Sequence, residues 1–280
     1  MIIDMKKLIF TSLLLLCTAG LGAQTITVMS YNMRYGKAKD YGNSWEYRCQ
    51  ATPAMLKDQA PDVFGVQECY DFQAEFILKT CPKYKGYGIP RSQKSPERTE
   101  VFWNKWKFKA LDMGTFWLSE TPEVESKGWD GRHSRTATWV VLKMRKGGKK
   151  FIFVNTHLDH RGKEARRQGL ALIEKKIAEI NPGNLPWVLT GDFNIKDDNE
   201  LILDFNKRMN NARLTAEDRR DDSNTFHGFG KYGDDGKRRV IDYIYYAGFS
   251  KCKVYETVRQ SYAGVPYISD HYPIKAVIEF

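Results

Sequence analysis

The chain is built of short apolar runs that repeatedly close on a polar side chain. Thr25-Ile26-Thr27-Val28-Met29-Ser30-Tyr31-Asn32 alternates at its start and is rich in β-branched residues, which predicts a strand ending on Asn32. Pro61-Asp62-Val63-Phe64-Gly65-Val66-Gln67-Glu68 predicts a second strand with a carboxylate at its tip. Trp187 to Asp192 predicts a third, with Asn194 two residues on; in an extended segment the Asp192 carboxylate and the Asn194 amide would face the same space. The middle of the chain is the most β-rich, with strands predicted over Glu100 to Trp103, Lys107 to Trp117, Thr136 to Met144 and Phe151 to Thr156. Lys146-Gly147-Gly148-Lys149 joins the last two as a hairpin turn. Val240 to Ala247, Cys252 to Val258 and Ile274 to Phe280 read as closing strands. Helices are predicted from an N-cap at Ser44 to about Gln59, where Pro61 stops them, and over Asp71 to Leu78. A third spans Gly162 to Ile180, with Leu170, Ile173, Ile177 and Ile180 at helical spacing and Asn181-Pro182-Gly183 ending it. Tyr35 to Asn43 reads as a loop, and the charged residues 207–239 as surface excursions with room for one short helix.

Strand, helix, strand, helix in the N-terminal part implies a sheet whose interior is parallel or mixed. No repeat, low-complexity tract or linker interrupts the chain, so residues 24–280 are read as one domain. Residues 1–23 stand apart: Lys6-Lys7 precede the apolar run Leu8 to Cys17, and small residues follow up to Ala23. This is the layout of a secretory signal peptide, too short to span a bilayer comfortably. The expectation is export to the periplasm or the medium after cleavage near Ala23 or Gln24; Cys17 opens a lipoprotein alternative that Leu16 disfavours. No later apolar stretch is long enough to cross a membrane, and a monomer is expected. Formal charge is +10, of which Asp4, Lys6 and Lys7 account for +1, leaving +9 for the rest. A basic surface favours polyanions such as nucleic acid or phosphorylated head groups, although ordinary surface lysine explains as much. Cys49, Cys69, Cys81 and Cys252 show no CxxC or Cys/His zinc spacing; export would permit a disulfide.

The strand tips carry the candidate chemistry. Glu68 is the best-placed metal ligand, because a hard divalent ion such as Mg²⁺ or Mn²⁺ takes oxygen donors, often only one or two of them carboxylates. Asn32 offers an amide oxygen to the same ion or orients a neighbour, and Asp270 could supply a second carboxylate. Taken singly each has a plain reading: Asn often closes a turn, and an acid after a strand is often solvated. His157, in Asn155-Thr156-His157-Leu158, stands where a strand empties into a polar loop and its ring N–H could bind a phosphoryl oxygen. Asp242 lies in the apolar run Arg239-Val240-Ile241-Asp242-Tyr243-Ile244, where an unpaired carboxylate would cost several kcal/mol, about the penalty for any unpaired buried polar group. It wants a partner, and His271 in Ser269-Asp270-His271-Tyr272-Pro273 is a suitable one. Together these groups suit in-line attack of water on a phosphoester: Asp192 orients or deprotonates the water, Asn194 holds it or the phosphoryl group, and the metal with His157 and His271 offsets developing charge. Acyl transfer by a Ser-His-Asp triad competes poorly, since no GxSxG elbow occurs.

At these residues the sequence resembles the endonuclease/exonuclease/phosphatase superfamily of deoxyribonuclease-like metal-dependent phosphoesterases. Six stretches match in the family's order: Ser30-Tyr31-Asn32, Val66-Gln67-Glu68, Asn155-Thr156-His157-Leu158, Gly191-Asp192-Phe193-Asn194, Ile241-Asp242-Tyr243-Ile244 and Ser269-Asp270-His271-Tyr272-Pro273. The resemblance implies an α+β fold, a four-layer α/β/β/α sandwich of two mixed, mainly antiparallel sheets packed face to face with outer helices. It implies Asn32 and Glu68 at the metal, Asp270 as a possible further ligand, Asp192 and Asn194 at the nucleophilic water, His157 at phosphate, and Asp242 as partner of His271. Thr115 to Pro122 with Arg135-Thr136-Ala137-Thr138-Trp139 looks like exported bacterial members near the deadenylase-like branch, with Arg135 as a phosphate contact. The family's abasic-site nucleases often carry an acid two residues after the first Asn; Arg34 stands there, which argues against that activity.

The reading is therefore an exported, divalent-metal-dependent hydrolase of a phosphate ester, nucleic acid among the candidate substrates. A sphingomyelinase-like phospholipid hydrolase is one rival. A catalytically silent binding protein on the same scaffold is the other, disfavoured because every candidate position holds a competent residue.

Overall fold

Strand β1 (Thr25–Asn32) runs along the middle of the first sheet and is buried on both faces after its first turn of chain. The computed structural model describes residues 24–232 and 235–280, so the leader predicted over residues 1–23 lies outside the described residues. After a 3-10 turn at Tyr41–Asn43, helices α1 (Trp45–Arg48) and α2 (Ala51–Gln59) carry the chain over to β2 (Val63–Cys69), parallel to β1. The sequence predicts one helix here, and two form. Pro53 has no N–H to give the carbonyl of Cys49, so the turn breaks there and restarts with the proline inside its first turn, where a missing donor costs nothing.

Helix α3 (Asp71–Thr80) leads to the edge strand β3 (Tyr84–Tyr87) and then β4 (Arg98–Asn104), which lies antiparallel to β2. The second sheet takes β5 (Phe108–Trp117), β6 (Thr136–Met144) and β7 (Lys150–His157) as a meander. Gly147 and Gly148 turn the β6–β7 corner with φ of 81° and 68°, the left-handed backbone that glycine adopts freely. Helix α4 (Lys163–Ile180) returns the chain to β8 (Trp187–Asp192), parallel to β7. Helix α5 (Glu200–Arg208), β9 (Asn210–Asn211), α6 (Ala212–Thr215) and β10 (Asp218–Asp221) follow, then β11 (Asp242–Ala247), β12 (Lys251–Thr257) and β13 (Ile274–Glu279). The sequence reading lacks β3, α5, β9 and β10. The three strands have four residues or fewer, too short to mark a period, and β10 is charged throughout; α5 is only nine residues long and flanked by charge, although Leu201, Ile202 and Phe205 give it an apolar face.

The strand orders are β10-β12-β13-β1-β2-β4-β3 and β5-β6-β7-β8-β11-β9. Among the described residues only β1–β2, β7–β8 and β10–β12 pair in parallel, so both sheets are mixed and mainly antiparallel. Their inner faces meet through Val28, Val63 and Val101 on one side and Val140, Phe153, Val188 and Ile244 on the other. The outer face of the first sheet packs Met29, Phe64 and Phe102 against Met55, Leu56 and Ile77 of α2 and α3. The outer face of the second packs Val154, Leu189 and Tyr245 against Leu170 and Ile173 of α4 and Ile202 and Phe205 of α5. The architecture is thus the four-layer α/β/β/α sandwich expected. Among the described residues no helix is long and apolar enough to cross a membrane, and the four cysteines there are unpaired.

Candidate active site

One end of the sandwich collects the polar tips of both sheets. His157, Asp192 and Asp242 stand side by side, because β7 pairs His157 with Asp192 on β8 and β11 pairs Asp242 with the same residue. From the first sheet, Asn32 ends β1 and Glu68 lies next to last in β2. The sheets meet at a hydrogen bond: Asn32 Nδ2 donates to Asp192 Oδ2 at 3.0 Å and to Glu68 Oε1 at 3.2 Å. Glu68 sits in an irregularity of the β2–β4 register with φ of 59°, and that left-handed step turns its carboxylate toward Asn32. Tyr35 N–H holds its other oxygen at 3.1 Å.

Asn194 reaches the site differently from the strand alternation read in the sequence. Strand β8 ends at Asp192, and Asn194 adopts φ of 53°. Its backbone N–H donates to Asp192 Oδ1 at 2.9 Å and its Nδ2 to the Leu158 carbonyl at 3.0 Å, so a tight turn places it beside the carboxylate. Asp270 and His271 come from the loop before β13. His271 Nδ1 lies 2.9 Å from Asp242 Oδ2, and its Nε2 3.7 Å from Asp192 Oδ2. His157 Nε2 is 3.4 Å from the same Asp192 oxygen. Asp270 accepts from Ser269 Oγ at 3.2 Å and faces Arg34 Nη1 at 3.7 Å. Arg135 stands on the His157 side, 6% exposed, and lines a narrow pocket with Glu68, Arg91, Thr99 and His157. All nine candidate residues of the sequence reading therefore lie at this end of the sheets.

The electrostatics separate the two histidines. Burial lowers the basicity of His271, but the charge and hydrogen bond of Asp242, with Asp192 and Asp270 behind it, push its pKa up to about 10. It is an imidazolium at neutral pH. Burial and the charges of Arg135 and Arg91 hold His157 well below the ordinary histidine range, so it stays neutral. Asp192 is pushed up to about 7 by burial and by the charge of Asp242, against the opposing pull of His271.

Two groups of donors could be asked to hold a cation. Asp192, Asp242 and His271 bring ligand atoms within 4.8 Å of one another, but the ring is protonated and both its nitrogens face carboxylates, which leaves no free nitrogen donor. Glu68 and Asp270 supply carboxylate oxygens, while Asn32 turns its Nδ2 toward Glu68 and its amide oxygen accepts from the Arg34 N–H at 3.0 Å; the surroundings already gather a cation, since Arg34, held by Asp40 at 2.9 Å, has its charge stabilised further by Asp270 and Glu68. A hard divalent ion fits that oxygen set.

Of the further residues that assemble the site, Thr225 and Arg48 were not singled out from the sequence. Thr225 Oγ1 accepts from the backbone N–H groups of Ile241 and Asp242 at 3.0 and 3.1 Å, fixing the start of β11. Next to it, Phe226 packs on the His271 ring with centroids 4.8 Å apart. An uncharged Thr-Phe pair inside a charged stretch was the available signal. Arg48, 1% exposed, donates to the carbonyls of Met33, Arg34, Asn43 and Ile268 and so clamps the loops bearing Asn32 and Asp270. Beneath the site, Gln67 Nε2 donates to Asn155 Oδ1 at 2.7 Å and Asn155 Nδ2 to the carbonyls of Val66 and Glu100, joining the sheets. Gln67 and Asn155 fall in two of the motif stretches but their contact does not show there, and nothing in the sequence marks Arg48, because contacts across more than a dozen residues leave no local pattern.

Residues 29–271 match the family described as the Endonuclease/Exonuclease/phosphatase family. A Bacteroides vulgatus structure described as an endonuclease/exonuclease/phosphatase is 35% identical, with a TM-score of 0.85 over 92% of this chain and 99% of that one. A Bacteroides thetaiotaomicron mannosyl-6-phosphatase is 32% identical, with a TM-score of 0.86 over 91% of this chain and all of that one. A CCR4-Not complex 3'-5'-exoribonuclease subunit of Emericella nidulans is 26% identical over 203 residues, which are 61% of this chain and 30% of that longer protein.

Proposed function

The chain belongs to the endonuclease/exonuclease/phosphatase family and is a phosphoester hydrolase, and from that premise we propose that it uses a divalent metal ion and the residues gathered at the sheet ends to drive water onto phosphorus. The observation that carries the proposal is the convergence of Asn32, His157 and His271 on one buried carboxylate, Asp192. A group so placed, with a pKa near the working pH, is suited to take a proton from an attacking water. Asn194, held by Asp192 and by the Leu158 carbonyl, positions the water or the phosphoryl group. The imidazolium of His271, fixed through Asp242, offers a permanent positive charge to the phosphoryl oxygens as negative charge builds on them. Neutral His157 can give a ring N–H to the same oxygens without drawing the proton that Asp192 must accept.

Glu68, Asn32 and Asp270 are the residues that would hold the ion. Bound there, Mg²⁺ or Mn²⁺ would supply Lewis-acid charge to the phosphoryl group. The test uses phosphomonoesters, phosphodiesters, DNA and RNA as substrates. Hydrolysis of at least one is expected with added Mg²⁺ or Mn²⁺, abolished by EDTA and restored by the metal. Asp192→Ala is expected to lower turnover by about 10²–10⁴-fold while the fold is kept. Chelator-insensitive hydrolysis removes the metal from the proposal, and near-normal turnover by Asp192→Ala removes the base.

A further inference from the structure

Arg135 is buried, and its guanidinium is only partly paired. Among the described residues nothing accepts a hydrogen bond from its Nε or Nη1. The nearest carboxylate, Asp159, lies 3.6 Å from Nε, and its oxygens are already engaged by the backbone N–H groups of His133, Arg161 and Gly162. Its Nη2 has only His160 Nδ1, at 3.4 Å. The other two guanidinium groups lining this pocket are committed: Arg91 to Glu97 at 2.6 Å and Arg98 to Asp71. Buried N–H groups left idle on a charged side chain are costly, so the position favours an anion that fills it. The pocket has Glu68 and His157 in its wall and room for about one water-sized sphere. It can therefore take a single terminal oxygen beside the reacting groups.

Resting on the hydrolase reading above, we infer that Arg135 receives a terminal phosphoryl oxygen and that the chain acts on phosphomonoesters in preference to phosphodiesters. A monoester carries three non-bridging oxygens, enough to meet the metal site, the histidines and Arg135 together. A diester carries two, so once the metal site and the histidines are met Arg135 is left unpaired. In the reaction the water oxygen bonds to phosphorus, the bond from phosphorus to the ester oxygen breaks, and the departing oxygen leaves as the alcohol. The proton given up by the water is the one returned, so inorganic phosphate and an alcohol are the products, with no oxidant or reductant.

The test compares p-nitrophenyl phosphate and a hexose 6-phosphate with bis-p-nitrophenyl phosphate and an oligonucleotide lacking terminal phosphate, each with Mn²⁺. The parent is expected to show the higher kcat/KM on the monoesters. Arg135→Gln is expected to lose about 10²–10³-fold on monoesters, the loss typical of one positioned donor, and only a few-fold on diesters. Because a buried guanidinium can matter to folding, a second measurement uses the unmodified metal-free chain: inorganic phosphate is expected to raise its melting temperature and dimethyl phosphate is not. Faster diester cleavage, equal losses on both classes in folded Arg135→Gln, or equal protection by the two anions would overturn the inference and leave the hydrolase intact. Failure to hydrolyse any of the four substrates with metal present would overturn both.

Discussion

Asp242 and His271 illustrate how one pair of residues fixes the pH range of a site. Asp192 must lose its proton to act as a base, while His271 must keep its own to stay cationic. With a cation held at Glu68, the Asp192 carboxylate is stabilised further, so activity is expected to rise with pH through a limb no higher than about 7 and to hold until His271 deprotonates near about 10. Asp242→Asn removes the charge and the hydrogen-bonded acceptor that raise His271 against its burial. The upper limb should then move down toward or below neutrality, and kcat/KM at pH 8 should drop by about 10²–10⁴-fold. Profiles of kcat/KM against pH for parent and variant check this; an upper limb that stays in place contradicts the pairing. Much of this chemistry is legible in the sequence, because Asp242 lies in an apolar run and a carboxylate there has to have a partner. The identity of Asp192 as the point of convergence is not legible, since it depends on Asn32, 160 residues away.

At the scale of the element, the parallel pair β7–β8 does most to set the site, for it puts His157 and Asp192 in register. The two strands approach closely at Gly191, where an added Cβ would stand 2.3 Å from the Thr156 carbonyl oxygen. Gly191→Ala must therefore push β8 away from β7. The expected loss is about 1–3 kcal/mol of stability, read as a lower urea midpoint, with a fall in turnover as His157 and Asp192 part. Gly183→Ala is the control, since nothing lies within 4 Å of its added Cβ, and it should leave both unchanged. An unshifted midpoint in Gly191→Ala would mean that the strands can separate without strain. The long strands and α4 could be read from periodicity, because their burial follows the sequence pattern. The broken helix at Cys49–Gln50 followed a rule that Pro53 states plainly, whereas β3 and β10, four residues each, are held by their neighbours and carry little pattern of their own.

For the whole molecule, the balance of stability with pH depends on carboxyls that the sandwich buries. Glu100, 4% exposed on β4, is pushed up to about 7 by burial, against the pull of Arg98. Its Oε2 has no hydrogen-bond partner, and the Arg98 guanidinium lies 3.8 Å from it. The folded chain thus keeps a proton that the unfolded chain releases above its ordinary value of 4.5. That contribution is complete below 4.5 and is lost as pH rises through about 7. Glu100→Gln, which cannot ionise, is expected to gain about 1–3 kcal/mol over the parent at pH 8 and to match it near pH 5. Urea unfolding at the two pH values measures the difference; an equal change at both would show that Glu100 is not titrating.

The sequence by itself determined the alternation of strands and helices, the polar residue at each strand tip, and six motifs in family order, because strand formation and tip chemistry are written in local pattern. The tertiary structure alone decided which tips touch. It set Asn32 against Asp192 across the sheets, bent Asn194 into place through a left-handed turn, and buried Arg48 and Arg135 where one clamps loops and the other is left with free donors. Those outcomes depend on how two twisted sheets meet at one end, and the distance between chain segments in space is not encoded at any single position.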